Sequence, residues 1–139
     1  MGYFNKLKSI FTRKKKVVRE ETELEKRMVK DLLAALNLIV NEDNWCQKAL
    51  ARNAEGERLF DPSDETATSW DILGALHKVD ASKYSFTFLR MCVRFMGYRD
   101  LDRYNDSHRH IMVVLLFSEA FKNLGHPISI VDLYGEEKL

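Results

Sequence analysis

The sequence predicts an all-α protein, a single compact domain of about five helices around one buried helix at residues 107–124. Hydrophobic residues make up 45% of the 139 residues, which is enough for one packed core and excludes a disordered chain. The sequence has only 2 prolines and 6 glycines, too few for an all-β fold with many turns. Several segments place apolar residues at intervals of three and four, which is the helical period.

Residues 1–19 are predicted to be a basic amphipathic arm, and residues 20–139 the helical domain. Residues 1–16 contain six basic residues and no acidic one, so the remainder has 16 basic and 21 acidic residues and a charge of −5. Three interpretations stay open: a solubilising tail, an arm that docks on nucleic acid or protein, and a helix on an anionic membrane. The predicted polyanion-binding residues are Lys6, Lys8, Arg13, Lys14, Lys15 and Lys16.

The first predicted helix runs from Leu24 to about Asn41, because its apolar residues recur on one face. A turn leads from it to a short predicted helix at residues 45–52. Residues 52–60, with Gly56 in the middle, predict a loop or a short hairpin.

Two further helices are predicted before the central one. The first starts at Asp61, where an acidic cap precedes Pro62, and Gly74 within it indicates close approach of another backbone. The second has apolar positions from 84 to 96 and ends at Gly97. Its aromatic residues are predicted to form core and rim, with a partner-binding surface as the alternative.

The central helix has a clear predicted start and stop. Residues 105–107 are Asn, Asp and Ser, all of which cap helices, and every residue from Ile111 to Phe117 is apolar. Gly125 and Pro127 end the segment. Residues 128–133 then predict either a strand or one docking turn.

Cysteine spacing and hydropathy indicate an intracellular protein. Cys46 and Cys92 are isolated, without the spacing of a zinc site, which predicts reduced and buried thiols. No apolar run approaches the roughly 20 residues that span a bilayer, and the N-terminus lacks the apolar core of a secretion signal. A cytoplasmic location is therefore expected.

Three short motifs resemble a known family. Trp45-x-Gln47 comes first, Gly74-Ala75-Leu76 follows, and Tyr104-Asn105-Asp106 precedes His110 at the head of an apolar helix. In this order and spacing they resemble the family catalogued as domain of unknown function 6197, whose members occur in bacteria and their phages. The resemblance covers about residues 28–125. That family has no assigned activity, so the resemblance implies candidate positions but no mechanism.

The motif residues allow a catalytic and a structural interpretation. Asp106 and His110 are four residues apart, which places them on one helical face, and Asp106 would orient His110 as a general base. Trp45, Gln47 and Asn105 would then line the pocket. In the structural alternative, which we favour, Asp106 caps the helix while Trp45 and Gln47 hold the neighbouring loop by hydrogen bonds.

Two other kinds of site have matching residue types. Cys46, His110 and Asn105 are the types that a cysteine hydrolase uses. His108 and His110 would supply two ligands to a metal, with Asp106 or His77 as the third. The sequence has no phosphate-binding glycine loop and no serine-nucleophile motif. No metal or cofactor is predicted, and a non-catalytic protein is favoured over an enzyme.

The predicted function is that of a small non-catalytic protein that binds another macromolecule. If the protein is associated with a phage or mobile element, its expected partner is a host or defence complex. The alternatives are attachment to nucleic acid or anionic membrane through residues 2–16, and an enzyme that uses Asp106 and His110. Tyrosine and arginine side chains at residues 98–104 are common interface anchors. The predicted binding residues are Trp45, Gln47, Tyr98, Arg99, Arg103, Tyr104, Asn105 and Asp106.

Overall fold

The computed structural model describes residues 19–134, which form six α-helices and a three-stranded antiparallel sheet. The predicted polyanion-binding residues, from Lys6 to Lys16, lie outside this part, so the arm and its boundary stay predictions. None of the described helices is long and apolar enough to cross a membrane. The elements are α1 (Glu23–Ile39), β1 (Ala51–Asn53), β2 (Arg58–Leu59), β3 (Ala67–Trp70), α2 (Ile72–Lys78), α3 (Lys83–Phe95), α4 (Leu101–Ser107), α5 (His110–Asn123) and α6 (Ile130–Tyr134), with a 3-10 turn at Glu42–Asn44.

Helix α1 confirms the first predicted helix. The Thr22 side chain accepts a hydrogen bond from the backbone N–H of Glu25 at 3.1 Å, and the Glu25 carboxylate accepts from the N–H of Thr22 at 3.1 Å. This reciprocal capping box satisfies two amides that the first turn would leave free. The buried side of the helix carries the predicted apolar stripe, from Met28 to Ile39.

A buried carboxylate ties α1 to the start of α3. Asp31 is 4% exposed and accepts hydrogen bonds from Arg27 Nε at 2.8 Å, Ser82 N at 2.8 Å and Ser85 Oγ at 2.7 Å. Burial acts to raise the pKa of Asp31, but these donors and the Arg27 charge together hold it below its ordinary value. Asp31 is therefore ionised at neutral pH. The apolar period of α1 gives no sign of this contact.

The sheet makes the all-α prediction wrong. Strand β1 lies between β2 and β3, with Ala51 paired to Leu59 on one side and to Trp70 on the other. The predicted hairpin at residues 52–60 is confirmed, and β3 extends it to three strands. Asn53 shapes the hairpin turn, because its side-chain oxygen accepts hydrogen bonds from two backbone N–H groups of the turn at 3.1 and 2.9 Å.

Two predicted helices around the sheet differ from the structure: the one at residues 45–52 is absent, and the one expected at Asp61 begins later. Residues 47–50 form bends, and an isolated parallel bridge joins Trp45 to Trp70. After Asp61 the chain makes two turns held by aspartate side chains instead of a helix. Trp70 Nε1 also donates to the carbonyl oxygen of Pro62 at 2.8 Å, and this hydrogen bond holds the turn segment against the side chain of Trp70 in β3. The helix expected at residue 61 therefore begins only at α2, after β3.

The buried central helix is confirmed over α5, but its predicted start is wrong. Asn105, Asp106 and Ser107 form the last turn of α4 rather than a cap. The chain leaves the helical path at residues 108–109, and α5 begins at His110. Eight of the 14 residues in α5 are buried, so the helix is enclosed on most of its circumference, as the apolar run predicted.

Helices α1 and α5 share the centre of the fold. Helix α5 packs mainly against α1, α3 and α6, while α1 also packs against α2 and β3. The predicted glycine stops are confirmed, since Gly97 follows α3 with a φ of +95° and Gly125 follows α5 with a φ of +81°. Residues 128–133 contribute to the short helix α6, which is the predicted docking turn rather than a strand.

Gly74 lies where two backbones touch, as the sequence predicted. A Cβ on Gly74 would overlap the carbonyl oxygen of Leu50 and would lie 3.1 Å from Asp71 Oδ1. The Leu50 oxygen is held in place, because it accepts a hydrogen bond from the N–H of Asp71 at 3.2 Å. Only glycine lets α2 pack this closely against the segment that leads into β1.

Candidate functional site

The polar motifs meet at Asn105, which is fully buried in the last turn of α4. Its Oδ1 accepts hydrogen bonds from Trp45 Nε1 at 2.8 Å and from the backbone N–H of Ile72 at 3.1 Å. Its Nδ2 donates to the carbonyl oxygen of Cys46 at 3.0 Å and to Asp106 Oδ1 at 3.1 Å. One amide side chain thus joins α4, the start of α2 and the loop that follows the 3-10 turn.

Gln47 and Asp106 hold that loop at further points. Gln47 Nε2 donates to the carbonyl oxygens of Asn105 at 3.0 Å and His108 at 2.9 Å. Asp106 Oδ1 accepts from the backbone N–H of Lys48 at 2.8 Å. Lys48 has a φ of +62°, a left-handed conformation that a non-glycine residue keeps only where its surroundings support it. These side chains therefore determine the shape of the loop.

His110 connects the start of α5 to the end of α1. It is 1% exposed, and its Nε2 lies 2.7 Å from the carbonyl oxygen of Ile39. Since a carbonyl oxygen only accepts, Nε2 carries the proton in this contact. The imidazole ring also packs against Trp45, with ring centroids 5.4 Å apart and planes tilted by 52°.

These contacts bring together residues that stand about 60 positions apart in the sequence. The Trp-x-Gln motif and the Tyr-Asn-Asp motif therefore form a single hydrogen-bonded cluster. A family model described as "Family of unknown function (DUF6197)" matches residues 25–123, from α1 to the end of α5. The chain belongs to this family. The match confirms the resemblance seen in the sequence. No curated protein and no solved structure matches the chain.

In this DUF6197 chain, the premise of the general-base hypothesis is wrong. Asp106 and His110 do not share a helical face, because the break at residues 108–109 separates α4 from α5. Trp45 and Gln47 bond to α4 and to the break, which is the arrangement that the structural alternative describes. A catalytic role for Asp106 or His110 stays a prediction.

Cys46 lacks the surroundings that activate a cysteine nucleophile. Its Sγ is buried and donates to the carbonyl oxygen of Ala49 at 3.5 Å. Burial raises the pKa of Cys46 above its ordinary value, although a hydrogen bond with Ser69 opposes the shift. The thiol is therefore protonated at neutral pH, whereas a cysteine hydrolase needs the thiolate. Cys92 is also free and buried, as predicted, and burial raises its pKa to about 11.

The two histidines of the metal hypothesis contact different backbone segments. His108 Nδ1 lies 2.9 Å from the carbonyl oxygen of Tyr104, while His110 Nε2 faces the end of α1. Within residues 19–134, no group of three His, Cys, Asp or Glu side chains is arranged to hold a metal ion.

The predicted binding segment at residues 98–104 is only partly accessible. Tyr104 is 1% exposed and belongs to the core. Tyr98 stands edge-on to the rings of Tyr104 and His108, with ring centroids 5.0 and 4.7 Å away. Arg99 and Arg103 are exposed. Of the predicted binding residues in this segment, Tyr98 and the two arginines can therefore meet a partner, and their role in binding stays a prediction.

An open cleft of about 440 Å³ lies beside the motif residues. Its volume is within the range of small-molecule sites. Gln47 Nε2 and the ring nitrogen of His110 that contacts Ile39 are engaged in the internal hydrogen bonds described above, so these two atoms are not available to orient a ligand. The lining residues are Glu42, Trp45, Gln47, His108, Arg109, His110 and Ile111.

Asp71, the cap of α2, is a titratable group that the sequence did not single out. It is 4% exposed and accepts from the N–H of Gly74 at 2.6 Å. Burial raises the pKa of Asp71 to about 6, the hydrogen bond from Gly74 opposes the shift, and the nearby Asp106 charge adds to it. Between about pH 4 and pH 6 the folded protein therefore binds more protons than the unfolded chain, so Asp71 makes stability fall as the pH rises through that window.

We expect Asp71→Asn to remove this loss, because an amide oxygen still caps Gly74 but carries no charge. The free energy of unfolding at pH 7.5 should rise by about 1–3 kcal/mol relative to wild type, with no gain at pH 4. Urea unfolding at both pH values measures the difference. Asp43→Asn, at an exposed position of the 3-10 turn, is the matched control and should change neither value. An Asp71→Asn gain that is equal at both pH values would contradict the assignment.

Helix α3 exposes an apolar surface that the sequence assigned to core and rim. Tyr84 is 51% exposed, Met91 57% and Phe95 91%, and Phe88 between them is half-buried. Their spacing of four, three and four places them on one face over three helical turns. We call these four residues the α3 stripe. The buried side of α3 packs into the core through Ser85, Leu89, Cys92 and Val93.

Proposed function

We propose that the protein is a small non-catalytic binding protein of the cytoplasm, and that it contacts another protein through the α3 stripe. The observation that carries this proposal is the contiguity of the stripe, in which three large side chains are more than half exposed. Single exposed apolar residues are common on protein surfaces, whereas contiguous ones mark interaction sites. Phe60, which is 86% exposed but lies outside any helix, is an example of a single exposed residue.

The internal hydrogen bonds of the motif residues also support a non-catalytic role. The amide of Asn105 makes four hydrogen bonds inside the protein, and both acceptors of Gln47 Nε2 are backbone carbonyls. Side chains engaged in this way fix the fold rather than meet a substrate. The most distinctive polar residues of the described part are therefore explained by structure, whereas the exposure of the α3 stripe is not.

The setting of this interaction rests on the sequence resemblance. Similar sequences occur in bacteria and their phages, which favours a host or defence complex as the partner. Attachment to nucleic acid or anionic membrane through residues 2–16 is the alternative, because residues 1–16 have six cations and no acid. Both proposals place binding on the surface of the chain, but on different parts of it.

Substitution of the stripe tests the proposal directly. We expect Met91→Ser combined with Phe95→Ser to reduce recovery of the native partner at least about tenfold, because exposed aromatic and methionine anchors dominate such contacts. The measurement is a tagged pull-down from nuclease-treated lysate of the native source, with the recovered proteins quantified by mass spectrometry. The melting temperature should change little, since both side chains are more than half exposed.

Phe60→Ser is the matched control, because it also removes an exposed phenylalanine, and it should leave recovery unchanged. Equal recovery by wild type, the Met91→Ser/Phe95→Ser variant and the control would contradict the proposal.

A further inference from the structure

A row of cations runs beside the α3 stripe. Lys83, Arg90 and Arg94 each precede a stripe residue by one position, so they form a second line along the helix, about 100° around its axis from the stripe. All three are exposed, and none forms an ion pair with any residue in the part from 19 to 134. Lys83 Nζ lies 5.3 Å from the ring centroid of Tyr84, and Arg90 Cζ lies 5.8 Å from that of Phe86. Helix α3 contains no acidic residue, so its positive charge is not neutralised within the helix.

We infer that the partner segment on this surface is an acidic amphipathic helix, an inference that rests on the proposed function of the α3 stripe. The stripe extends over three turns, about 16 Å, which matches the apolar face of a helix of similar length. An apolar partner face alone would leave the row of cations at the edge of the interface without a counter-charge. Carboxylates along one flank of the partner helix meet that row and also fix its orientation.

Other possible partners of the α3 stripe match the charge of its row of cations less well. A second copy whose α3 packed antiparallel on the same stripe would place one row of cations close to the other, and like charges at an interface oppose association. The basic arm of this chain has the same difficulty, because residues 1–16 carry six cations and no acid. An anionic membrane would satisfy the cations, so it is included in the test as a separate source of negative charge.

The probe is a synthetic 15-residue helical peptide with leucines spaced four, three and four apart and glutamates along one flank. A second peptide has lysine at each glutamate position, and vesicles of phosphatidylserine and phosphatidylcholine represent the membrane. Binding to the full chain is measured by fluorescence anisotropy at low salt, and the contact surface by NMR shift changes. We expect the glutamate peptide to bind at least about tenfold more tightly than the lysine peptide, with shifts confined to α3.

Charge reversal on α3 distinguishes peptide binding by α3 from peptide binding by the basic arm, because the arm is the same in every variant. Lys83→Glu combined with Arg94→Glu should reverse the preference between the two peptides. Lys30→Glu combined with Lys78→Glu makes the same change in net charge at exposed positions outside α3 and should leave the preference unchanged. Equal binding of both peptides, binding of neither, or binding of vesicles alone would overturn the inference.

The two proposals fail in distinguishable ways. If the glutamate peptide does not bind but Met91→Ser/Phe95→Ser still abolishes recovery of the native partner, the stripe binds a partner of different chemistry. If that variant recovers the partner normally, the proposed function itself is wrong.

Discussion

Asn105→Ala is expected to lower the free energy of unfolding by about 3–5 kcal/mol. The substitution leaves the backbone N–H of Ile72 and the carbonyl oxygen of Cys46 buried without partners, and it also removes the acceptor of Trp45 Nε1. A buried polar group that loses its partner costs about 1–3 kcal/mol. Trp45 is half-buried, so water replaces part of its lost hydrogen bond and keeps the total below the sum of three full penalties.

Chemical denaturation followed by far-UV circular dichroism measures this effect. Asn37→Ala is the matched control, because Asn37 is exposed on α1 and makes no side-chain hydrogen bond within the described residues. Its substitution should be neutral or slightly stabilising, since alanine favours helix. If Asn105→Ala lost less than about 1 kcal/mol, the motif residues would not hold the fold together and a functional role would have to be reconsidered.

Gly74→Ala is expected to destabilise the protein by about 3 kcal/mol or more, which is the reverse of the usual sign. In an ordinary helix interior this change gains about 1 kcal/mol. Here the added Cβ would overlap the Leu50 carbonyl oxygen, which cannot move without loss of its hydrogen bond from Asp71. Overpacking against a fixed backbone costs about 1–3 kcal/mol and sometimes more, and the lost hydrogen bond adds to it.

The same unfolding measurement on Gly56→Ala supplies the comparison. Gly56 has a φ of +79° and open space around its Cβ position, so alanine there should cost only about 1–2 kcal/mol of backbone strain. A Gly74→Ala protein as stable as wild type would show that α2 and the Leu50 backbone are not in contact.

The helices α1 and α3 follow directly from the sequence because their apolar residues keep the helical period over four and three turns. The sheet does not, for a physical reason. Residues 45–52 include Gln, Lys, Ala and Leu, which favour helix, and the strands are only two to four residues long. Pairing of Ala51 with Trp70, 19 positions later, overrides that local preference, and periodicity does not report contacts across such distances.

The candidate site shows the same limit. The sequence motifs placed Trp45, Gln47 and Asn105 at one predicted pocket, and in the structure hydrogen bonds join Trp45 and Gln47 to Asn105, but the motifs could not reveal the break at residues 108–109. Asn, Asp and Ser occur in the last turn of one helix as well as in the cap of the next, so these residue types do not decide between the two positions. Because of the break, the two residues of the predicted catalytic pair, Asp106 and His110, lie on different helices.

The α3 stripe was ambiguous for a different reason. Helix α3 has apolar residues on two faces, and periodicity identifies both without deciding which one enters the core. Leu89 and Val93 on the inner face are fully buried, whereas Met91 and Phe95 remain outside. Only the packing of α3 against α1 and α5 settles the choice.

The measurement that tests the central claim most directly is the lysate pull-down with a shortened chain added. Wild type, Met91→Ser/Phe95→Ser and a chain that begins at Val17 are compared at equal concentration after nuclease treatment. We expect wild type and the shortened chain to retain the same partner, and the α3 variant to lose it, because binding lies on the helical body. Loss of the partner from the shortened chain, with full retention by the α3 variant, would contradict this and assign binding to the basic arm.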